Sequence, residues 1–433
     1  MAHALFSSLA SLGEVIDQAY RRANYNDREF PKVAEACLAS WTPPAAFTLA
    51  DAANYLLTTP VKQQPGTAFS NLPITVFHSS DFYLECLVWT DATTNIHQHA
   101  FSGAFRLLAG SSLHSEYEFV ERERVNTLLL LGHAHVRRFE HLAAGDVRQI
   151  TSGRGGLIHA LFHLDQPSIT LVARTHGEPW LQPQYTLYPP AAAADTDALA
   201  RDSRVRMLVR AIEVIGRLDP TAAVDVWCRA VQQLDAARAF ALCMELRDQL
   251  EAEEPRQRVM DAAQKQHGAL AADLERCLLE KARLDSLLSS RRGIVDPSLR
   301  FFVALLANAT SRDDVFRMMS DRACIEALAA LGDPAPLLTA ARAVGTGTSW
   351  AQPPTRLAHD LVRAKATVPA VVLTDVLEAV VLGESAEALS ARLATRHADD
   401  VIERARKSLE AYRSLPELNV FHEPGIQSRL WRS

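Results

Sequence analysis

Residues 82–119 read FYLECLVWTDATTNIHQHAFSGAFRLLAGSSLHSEYEF and carry the strongest structural signal of the chain. Short runs of aliphatic and aromatic residues alternate there with glycine, aspartate and serine, which is typical of β-strands joined by turns. The same pattern begins near Ile74 and ends with SITLVART at residues 168–175. Many short strands at this close spacing predict a β-sandwich or a β-barrel for this part of the chain.

Helical periodicity precedes the strands. Between residues 8 and 58, apolar side chains recur at three- and four-residue steps, as at Leu12, Val15 and Ile16. This spacing places them on one face of a helix, so we expect a helical segment that packs on the barrel.

A second change of pattern follows residues 188–197, YPPAAAADTD, whose composition is typical of a linker. Start and stop signals of helices recur after this segment, without further strand patterns. The sequence therefore predicts an α+β protein. Its predicted parts are an N-terminal helical segment (1–72), a β-barrel (73–190) and an all-α helical domain (196–433).

One long helix is predicted in the helical domain, over residues 256–289. It carries an apolar stripe at three- and four-residue steps, formed by Val259, Met260, Ala263, His267, Leu270, Leu274, Cys277 and Leu278. Such a stripe is buried either in the core of its own domain or against a partner. Burial within the domain and a homodimer formed through the helical domain are both open.

Composition argues against several classes of partner. The chain has 433 residues and a formal net charge of −6, without a long run of lysine or arginine, so neither nucleic acid nor an anionic membrane is expected. No basic segment precedes an apolar core at the N-terminus, and no apolar stretch is long enough to span a bilayer. These features predict a cytoplasmic protein. The six cysteines form no CxxC pair and are expected to be free thiols.

A metal site is the main chemical signal. His97 and His99 are two residues apart on a predicted strand, so their imidazoles point to one face and can meet one ion. The segment GRGGLIHALFH, residues 153–163, offers His159 as a third ligand. By itself an HxH pair is weak evidence, because histidines at this spacing also occur on exposed strands.

Two other clusters contain ligand-type side chains. His133 and His135 repeat the HxH spacing without a third partner, and we expect them on the surface of a strand. His114, Glu116 and Glu118 alternate along another strand. They form either a metal site or, as we expect, a solvated face.

The histidine pattern resembles the two sequence motifs of the cupin superfamily. The first motif is an HxH pair followed by a strand and a glycine, here His97 to Gly110, and the second is GxxH, here Gly156 to His159. The resemblance implies a jelly-roll β-barrel that binds a metal inside it. Cupins usually have a glutamate ligand shortly after HxH, but residues 100–103 are Ala-Phe-Ser-Gly, which leaves three imidazoles.

This three-histidine set is similar to that of thiol dioxygenases of the cysteine dioxygenase type, over residues 80–176. The resemblance implies a non-haem Fe(II) cofactor, with other divalent metals open, O2 as co-substrate and a substrate that ligates the iron. The family's crosslinked cysteine corresponds to Gly103, and its catalytic histidine and tyrosine correspond to Val172 and Arg174. These departures argue against cysteine itself as the substrate.

Four further residues are candidates for the catalytic site. Tyr83 and Glu85 share the strand face that the resemblance directs towards the barrel interior, and Arg174 ends a neighbouring strand. Three interpretations of Glu85 are open: it pairs with Arg174, it receives a cationic group of the substrate, or it lies at the rim. Two interpretations of Arg174 are open: it anchors the substrate, or it is solvated. His163 either orients His159 or the substrate, or is a packed core histidine. The apolar wall of the site is expected to contain Leu87, Trp89, Phe105 and Leu161.

The function expected first is that of an Fe(II)- and O2-dependent oxygenase, an oxidoreductase of the dioxygenase class. It would act on a small molecule or a peptidyl group that ligates the metal. One alternative is a non-catalytic, metal-binding cupin whose helical half binds other proteins. Another alternative is a metal-dependent isomerase or lyase.

Overall fold

The structure is a computed structural model that describes residues 2–58, 70–90, 93–153, 155–176, 183–250, 252–291, 294–332 and 356–421. Three helices come first: α1 (Ala2–Arg22), α2 (Phe30–Ser40) and α3 (Leu49–Thr58). The strands of the described residues follow: β1 (Leu72–His78), β2 (Phe82–Trp89), β3 (His97–Gln98), β4 (Gly103–Ala109), β5 (Ser111–Arg124), β6 (Leu129–Ala143), β7 (Val147–Ile150), β8 (Ile158–His163), β9 (Ser168–Thr175), β10 (Thr186–Tyr188) and β11 (Ala192–Ala194).

Helices make up the rest of the described chain. They are α4 (Thr196–Arg201), α5 (Ser203–Leu218), α6 (Pro220–Gln233), α7 (Ala236–Glu245), α8 (Glu253–His267), α9 (Leu270–Arg291), α10 (Pro297–Asn308), α11 (Arg312–Phe316), α12 (Asp321–Leu331), α13 (Arg356–Thr367), α14 (Leu373–Leu382), α15 (Ala386–Leu393) and α16 (Asp399–Arg413). Short 3-10 turns occur at Arg247–Leu250, Ala370–Val372 and Pro416–Phe421. The predicted fold class, with N-terminal helices, a β-barrel and a C-terminal helical region, is confirmed.

The strands form two sheets. One is a five-stranded sheet in the order β1-β2-β9-β4-β7, in which each neighbouring pair runs antiparallel. The other closes into a barrel in the order β10-β11-β6-β5-β8-β3. The short strand β3, which begins at His97 and ends before His99, therefore lies between β8 and β10.

Alternation along β2 sends its side chains into two separate cores. Phe82 and Leu84 pack with residues of α1 such as Leu9 on the outer face of the five-stranded sheet. Leu87 and Trp89, which have the opposite parity, join a buried cluster on the inner face. Because a fully buried leucine or phenylalanine contributes about 1.5–3 kcal/mol, each core is a substantial source of stability. The inner cluster contains all four residues predicted for the apolar wall: Leu87, Trp89, Phe105 and Leu161.

The predicted single helix over residues 256–289 is wrong, because two helices cover this range. Helix α8 ends at His267, and Gly268 adopts a φ of +57°, a left-handed conformation that glycine takes without steric cost. The stripe itself is core, since its buried members are Val259, Met260, Ala263, Leu274, Cys277 and Leu278. A homodimer through the helical domain stays a prediction.

The segment interpreted as a linker contributes a strand. Residues 192–194 form β11 between β10 and β6, and the alanines at 191–194 are all buried. Alanine is depleted in strands, so the run carries no β signal. Only the pairing of β11 with its neighbours distinguishes it from a linker.

Residue contacts divide the chain into two compact units. The first consists of Met1–Glu118, Arg137–Leu187 and Ala194–Asp197, and the second of Phe119–Val136, Tyr188–Ala193 and Ala198–Ser433. The domain boundaries predicted from the sequence stay predictions. Within the described ranges, no helix combines the length and the apolar character needed to cross a membrane.

Candidate metal centre

The three predicted ligand histidines meet inside the barrel. His97 lies on β3 directly opposite His159 on β8, and His99 follows two residues after His97. One ring nitrogen of each histidine lies within 4.8 Å of those of the other two, and all three side chains are buried. Strand pairing thus unites side chains from two distant parts of the sequence.

The spacing of the nitrogens fits a shared ion. The Nε2 atoms of His99 and His159 lie 2.9 Å apart. Two ligands at right angles, each about 2.1 Å from an ion, are separated by about 3 Å. Imidazole nitrogens suit zinc, copper, iron and nickel, so the donor set fits a divalent transition metal without selecting one.

Hydrogen bonds orient two of the three rings. The Nδ1–H of His97 donates to the carbonyl oxygen of Asn95 at 2.8 Å, which fixes the orientation of this ring. The Nδ1 atom of His159 is 2.9 Å from the Nε2 atom of His114. The Nδ1 atom of His99, in contrast, has no hydrogen-bond partner among the described residues.

Burial keeps the three imidazoles in the form that binds metals. It lowers the pKa of His97, and it lowers the pKa values of His99 and His159 well below the ordinary value. Neighbouring imidazoles act in the same direction on His99 and His159. Neutral imidazole is the ligating species, so the site needs little or no deprotonation at neutral pH.

Gly103 lies so close to the neighbouring strand that a side chain has no room there. A Cβ atom at Gly103 would lie 2.1 Å from the carbonyl oxygen of Ala173 on β9. Backbone, not a flexible side chain, occupies that space. Neither a glutamate nor a cysteine therefore fits at residue 103 unless β4 and β9 move apart.

Arg174 lies close to the histidines. Its guanidinium carbon is 3.6 Å from the centroid of the Phe101 ring, and that ring is 4.6 Å from the imidazole of His99. The second aromatic contact is with Tyr83, at 5.1 Å. The positive charge lowers the pKa values of His97 and His99. No atom of the described residues accepts a hydrogen bond from the Arg174 Nε–H, while two aromatic faces lie close to the cation.

Glu85 lies in the interior, not at the rim. It is 1% exposed, and neither carboxylate oxygen has a hydrogen-bond partner of ordinary geometry within the described part of the chain. Burial raises its pKa, while the nearby Arg174 and Thr75 lower it. Tyr83, on the same face of β2, is also buried, and burial raises its pKa. The predicted set of Tyr83, Glu85 and Arg174 is therefore brought together.

His163 lies apart from the three-histidine group. Its ring stacks on Trp89 with centroids 4.5 Å apart, and its Nδ1 atom is 2.9 Å from the Oγ atom of Ser112. This position fits the interpretation as a packed core histidine. A role in orienting His159 or a substrate stays a prediction.

The solvated face predicted for His114, Glu116 and Glu118 is wrong at its first member. His114 is 1% exposed and its ring contacts His159, whereas Glu118 is exposed. Sequence alternation cannot identify the contact between His114 and His159, because that contact depends on how β5 pairs with β8. Glu140, on β6, was not singled out at all, yet it contacts His114. His135 is exposed, as expected, and His133 is half-buried.

Comparison with known proteins gives little further support. No protein-family model matches the chain, and no curated protein matches it. Among solved structures, the chain is similar to the crystal structure of DMSP lyase DddQ from Ruegeria pomeroyi DSS-3, with 17% sequence identity and a TM-score of 0.22. The likeness covers 42% of this chain and 98% of that chain. At this TM-score nothing is transferred from one protein to the other.

The barrel and its histidines agree with the cupin resemblance: three buried histidines converge inside a small β-barrel, as a group that could hold a metal.

Removal of one histidine is expected to abolish tight metal binding. Loss of a residue that hydrogen-bonds to a metal ligand weakens metal binding by roughly 10–100-fold. His97→Ala takes away one of the three ligand nitrogens themselves. The dissociation constant of Zn(II) should therefore rise by more than that factor. Isothermal titration of protein prepared without a histidine tag measures this. The matched control is His135→Ala, which alters the exposed HxH pair and should leave affinity unchanged. Equal affinity of the two variants would contradict the assigned site.

A side chain at residue 103 is expected to destabilise the barrel. Gly103→Ala forces β4 and β9 apart and should reduce the free energy of unfolding by about 1–3 kcal/mol, as overpacking does. Gly216→Ala is the control, because its Cβ would be 3.6 Å from the nearest atom, and a helical glycine costs about 0.5–1 kcal/mol relative to alanine. Thermal unfolding should shift down for the first variant and not for the second. An unchanged midpoint for Gly103→Ala would show that the strands separate freely.

Proposed function

We propose that the barrel is an O2-dependent oxygenase that binds one divalent ion, Fe(II) as the first candidate, between His97, His99 and His159. Its substrate would be a small molecule or peptidyl group that carries a carboxylate and ligates the ion through a thiol or an amine. The observation that carries the proposal is the meeting of three buried neutral imidazoles beside Arg174.

The ligand set suits a substrate that binds the metal directly. When bound, a divalent ion supplies Lewis acidity, and Fe(II) also supplies electrons for O2 chemistry. His97, His99 and His159 bring no negative charge, so an anionic donor such as a thiolate is attracted to the site. Three ligands also leave coordination positions on the side away from the imidazoles.

Arg174 is the proposed anchor for the carboxylate. Its planar guanidinium donates two parallel hydrogen bonds to a carboxylate, which fixes both position and direction. The rings of Phe101 and Tyr83 hold that plane beside the site. The inner apolar cluster, which includes Phe105 and Leu161, would exclude water from the reacting atoms.

Glu85 favours a second candidate, a metal-dependent lyase or isomerase. Burial raises the pKa of the Glu85 carboxyl, and a buried carboxylate is a candidate general base. In an elimination, Glu85 would accept a proton from the carbon next to a carbonyl group. The electron pair of the broken C–H bond would then form a C=C bond, while the adjacent bond to the leaving group breaks.

One experiment separates the two candidates. Protein loaded with Fe(II) in air, and protein loaded with Zn(II) under nitrogen, are given small carboxylic acids that carry a thiol, an amine or a leaving group. The oxygenase predicts substrate-dependent O2 consumption with Fe(II) only, lost in His97→Ala. The lyase predicts turnover without O2, including with Zn(II). Tight metal binding with no turnover in either arm contradicts both candidates.

Arg174 is expected to set substrate affinity. Arg174→Met removes charge-assisted hydrogen bonds of about 1.5–3 kcal/mol, so KM should rise by roughly 10–150-fold while metal affinity is retained. A substrate analogue with an amide in place of the carboxylate should lose this sensitivity. Arg322→Met, at a side chain that is 87% exposed, is the control. If KM is unchanged in Arg174→Met, the anchor is assigned to the wrong residue.

A further inference from the structure

A chain of hydrogen bonds leads from His159 away from the metal position. The Nδ1 atom of His159 meets the Nε2 atom of His114 at 2.9 Å. The Nδ1 atom of His114 faces the Oε2 atom of Glu140 at 3.4 Å. Arg148 donates to both oxygens of Glu140, at 2.9 and 3.0 Å, and Arg138 also pairs with that carboxylate.

The cationic end of this chain determines the direction of every hydrogen bond in it. Arginine only donates, so Glu140 is an ionised acceptor, and Arg148 holds the pKa of that carboxyl below its usual range. Glu140 therefore receives the Nδ1–H of His114. A neutral imidazole has one N–H, so the Nε2 atom of His114 accepts from the Nδ1–H of His159. The remaining lone pair of His159 is then on Nε2, the atom that faces His99.

We propose that His114 and Glu140 are positioning residues that fix the tautomer and the ring orientation of the metal ligand His159 and increase its basicity. Metal-bound histidines commonly donate their second N–H to a carboxylate or a carbonyl. Here an intervening imidazole connects the ligand to the carboxylate. His114 is buried and has one partner on each ring nitrogen, His159 on Nε2 and Glu140 on Nδ1, which is the arrangement that this role requires.

The same residues do not favour a second metal site, although His114, Glu116 and Glu140 lie close enough to share an ion. Both nitrogens of His114 are already engaged. Two arginines already neutralise Glu140, and their charges would repel a further cation. Within the described residues, the cluster is therefore better explained as a hydrogen-bond network.

The three ligands provide an internal comparison. His97 is oriented by the backbone carbonyl of Asn95, His159 by the side chain of His114, and His99 has no such partner on Nδ1 in the described structure. A change at His114 should consequently affect one ligand and spare the other two. Loss of a whole fold would affect all three.

The test uses the full chain and Co(II) as the probe. His114→Leu removes the acceptor, and its dissociation constant for Co(II) should rise by about 10–100-fold. His114→Gln keeps an acceptor towards His159 and a donor towards Glu140, so it should restore part of that affinity. Glu140→Gln changes a carboxylate that is only 11% exposed, and its dissociation constant for Co(II) should lie between those of wild type and His114→Leu. Ser112→Ala removes a contact between β5 and another buried histidine, His163. This variant is the matched control and should bind Co(II) as wild type does.

A spectroscopic measurement separates positioning from general damage. In the Co(II) protein, the exchangeable ring N–H protons of the ligands give strongly shifted NMR signals, and a hydrogen-bonded N–H exchanges slowly. His114→Leu should lose the signal of His159 and retain that of His97. His114→Gln should keep both signals.

The inference rests on the metal site of the proposed function, and the outcomes distinguish the two. If wild-type protein binds no Co(II), the site and the positioning role both fail. If wild type binds but the variants match it in affinity and in N–H signals, only the positioning role fails. Binding of two Co(II) ions per chain, with the second lost in His114→Leu, would instead assign His114 to a second metal site and overturn the proposal.

Discussion

The pairing of β3 with β8 is the constraint on which the centre depends. It sets His97 opposite His159, and the short β3 brings His99 to the same place. Removing three imidazoles from water is costly unless their nitrogens gain partners. Two of the rings gain a hydrogen bond on one nitrogen, yet all three turn a nitrogen towards the same point. In the proposed function, a shared cation is the partner of these nitrogens.

The surroundings of the histidines determine what such a cation can do. The close approach of β4 and β9 at Gly103 leaves no room for a side chain, so no carboxylate at residue 103 reduces the charge of the ion. Arg174 adds positive charge near the centre, and its guanidinium lies over Phe101, a member of the inner apolar cluster. A site built in this way attracts an anionic ligand and strengthens its interaction by excluding water. Glu85, buried on the same sheet face as Arg174, is the carboxylate to which the second proposed function assigns proton transfer.

Local patterns were sufficient for the fold class, and the resemblance to cupin motifs was needed for the three histidines. The resemblance predicted which face of β2 is directed to the interior, and Leu87 and Trp89 of that face belong to the inner cluster. What the sequence could not reveal depends on register between distant strands. His114 was expected on a solvated face, but the pairing of β5 with β8 places it against His159. Two further features have no signal in the local pattern. The alanines of β11 carry no β pattern, and the apolar stripe continues across the break at Gly268.

X-ray absorption at the zinc edge of Zn(II)-loaded protein, prepared without a histidine tag, tests the central claim most directly. The account predicts three imidazole nitrogens at about 2.0–2.1 Å, completed by oxygen donors. Sulfur scattering at about 2.3 Å, or fewer than three imidazoles around the ion, would contradict it.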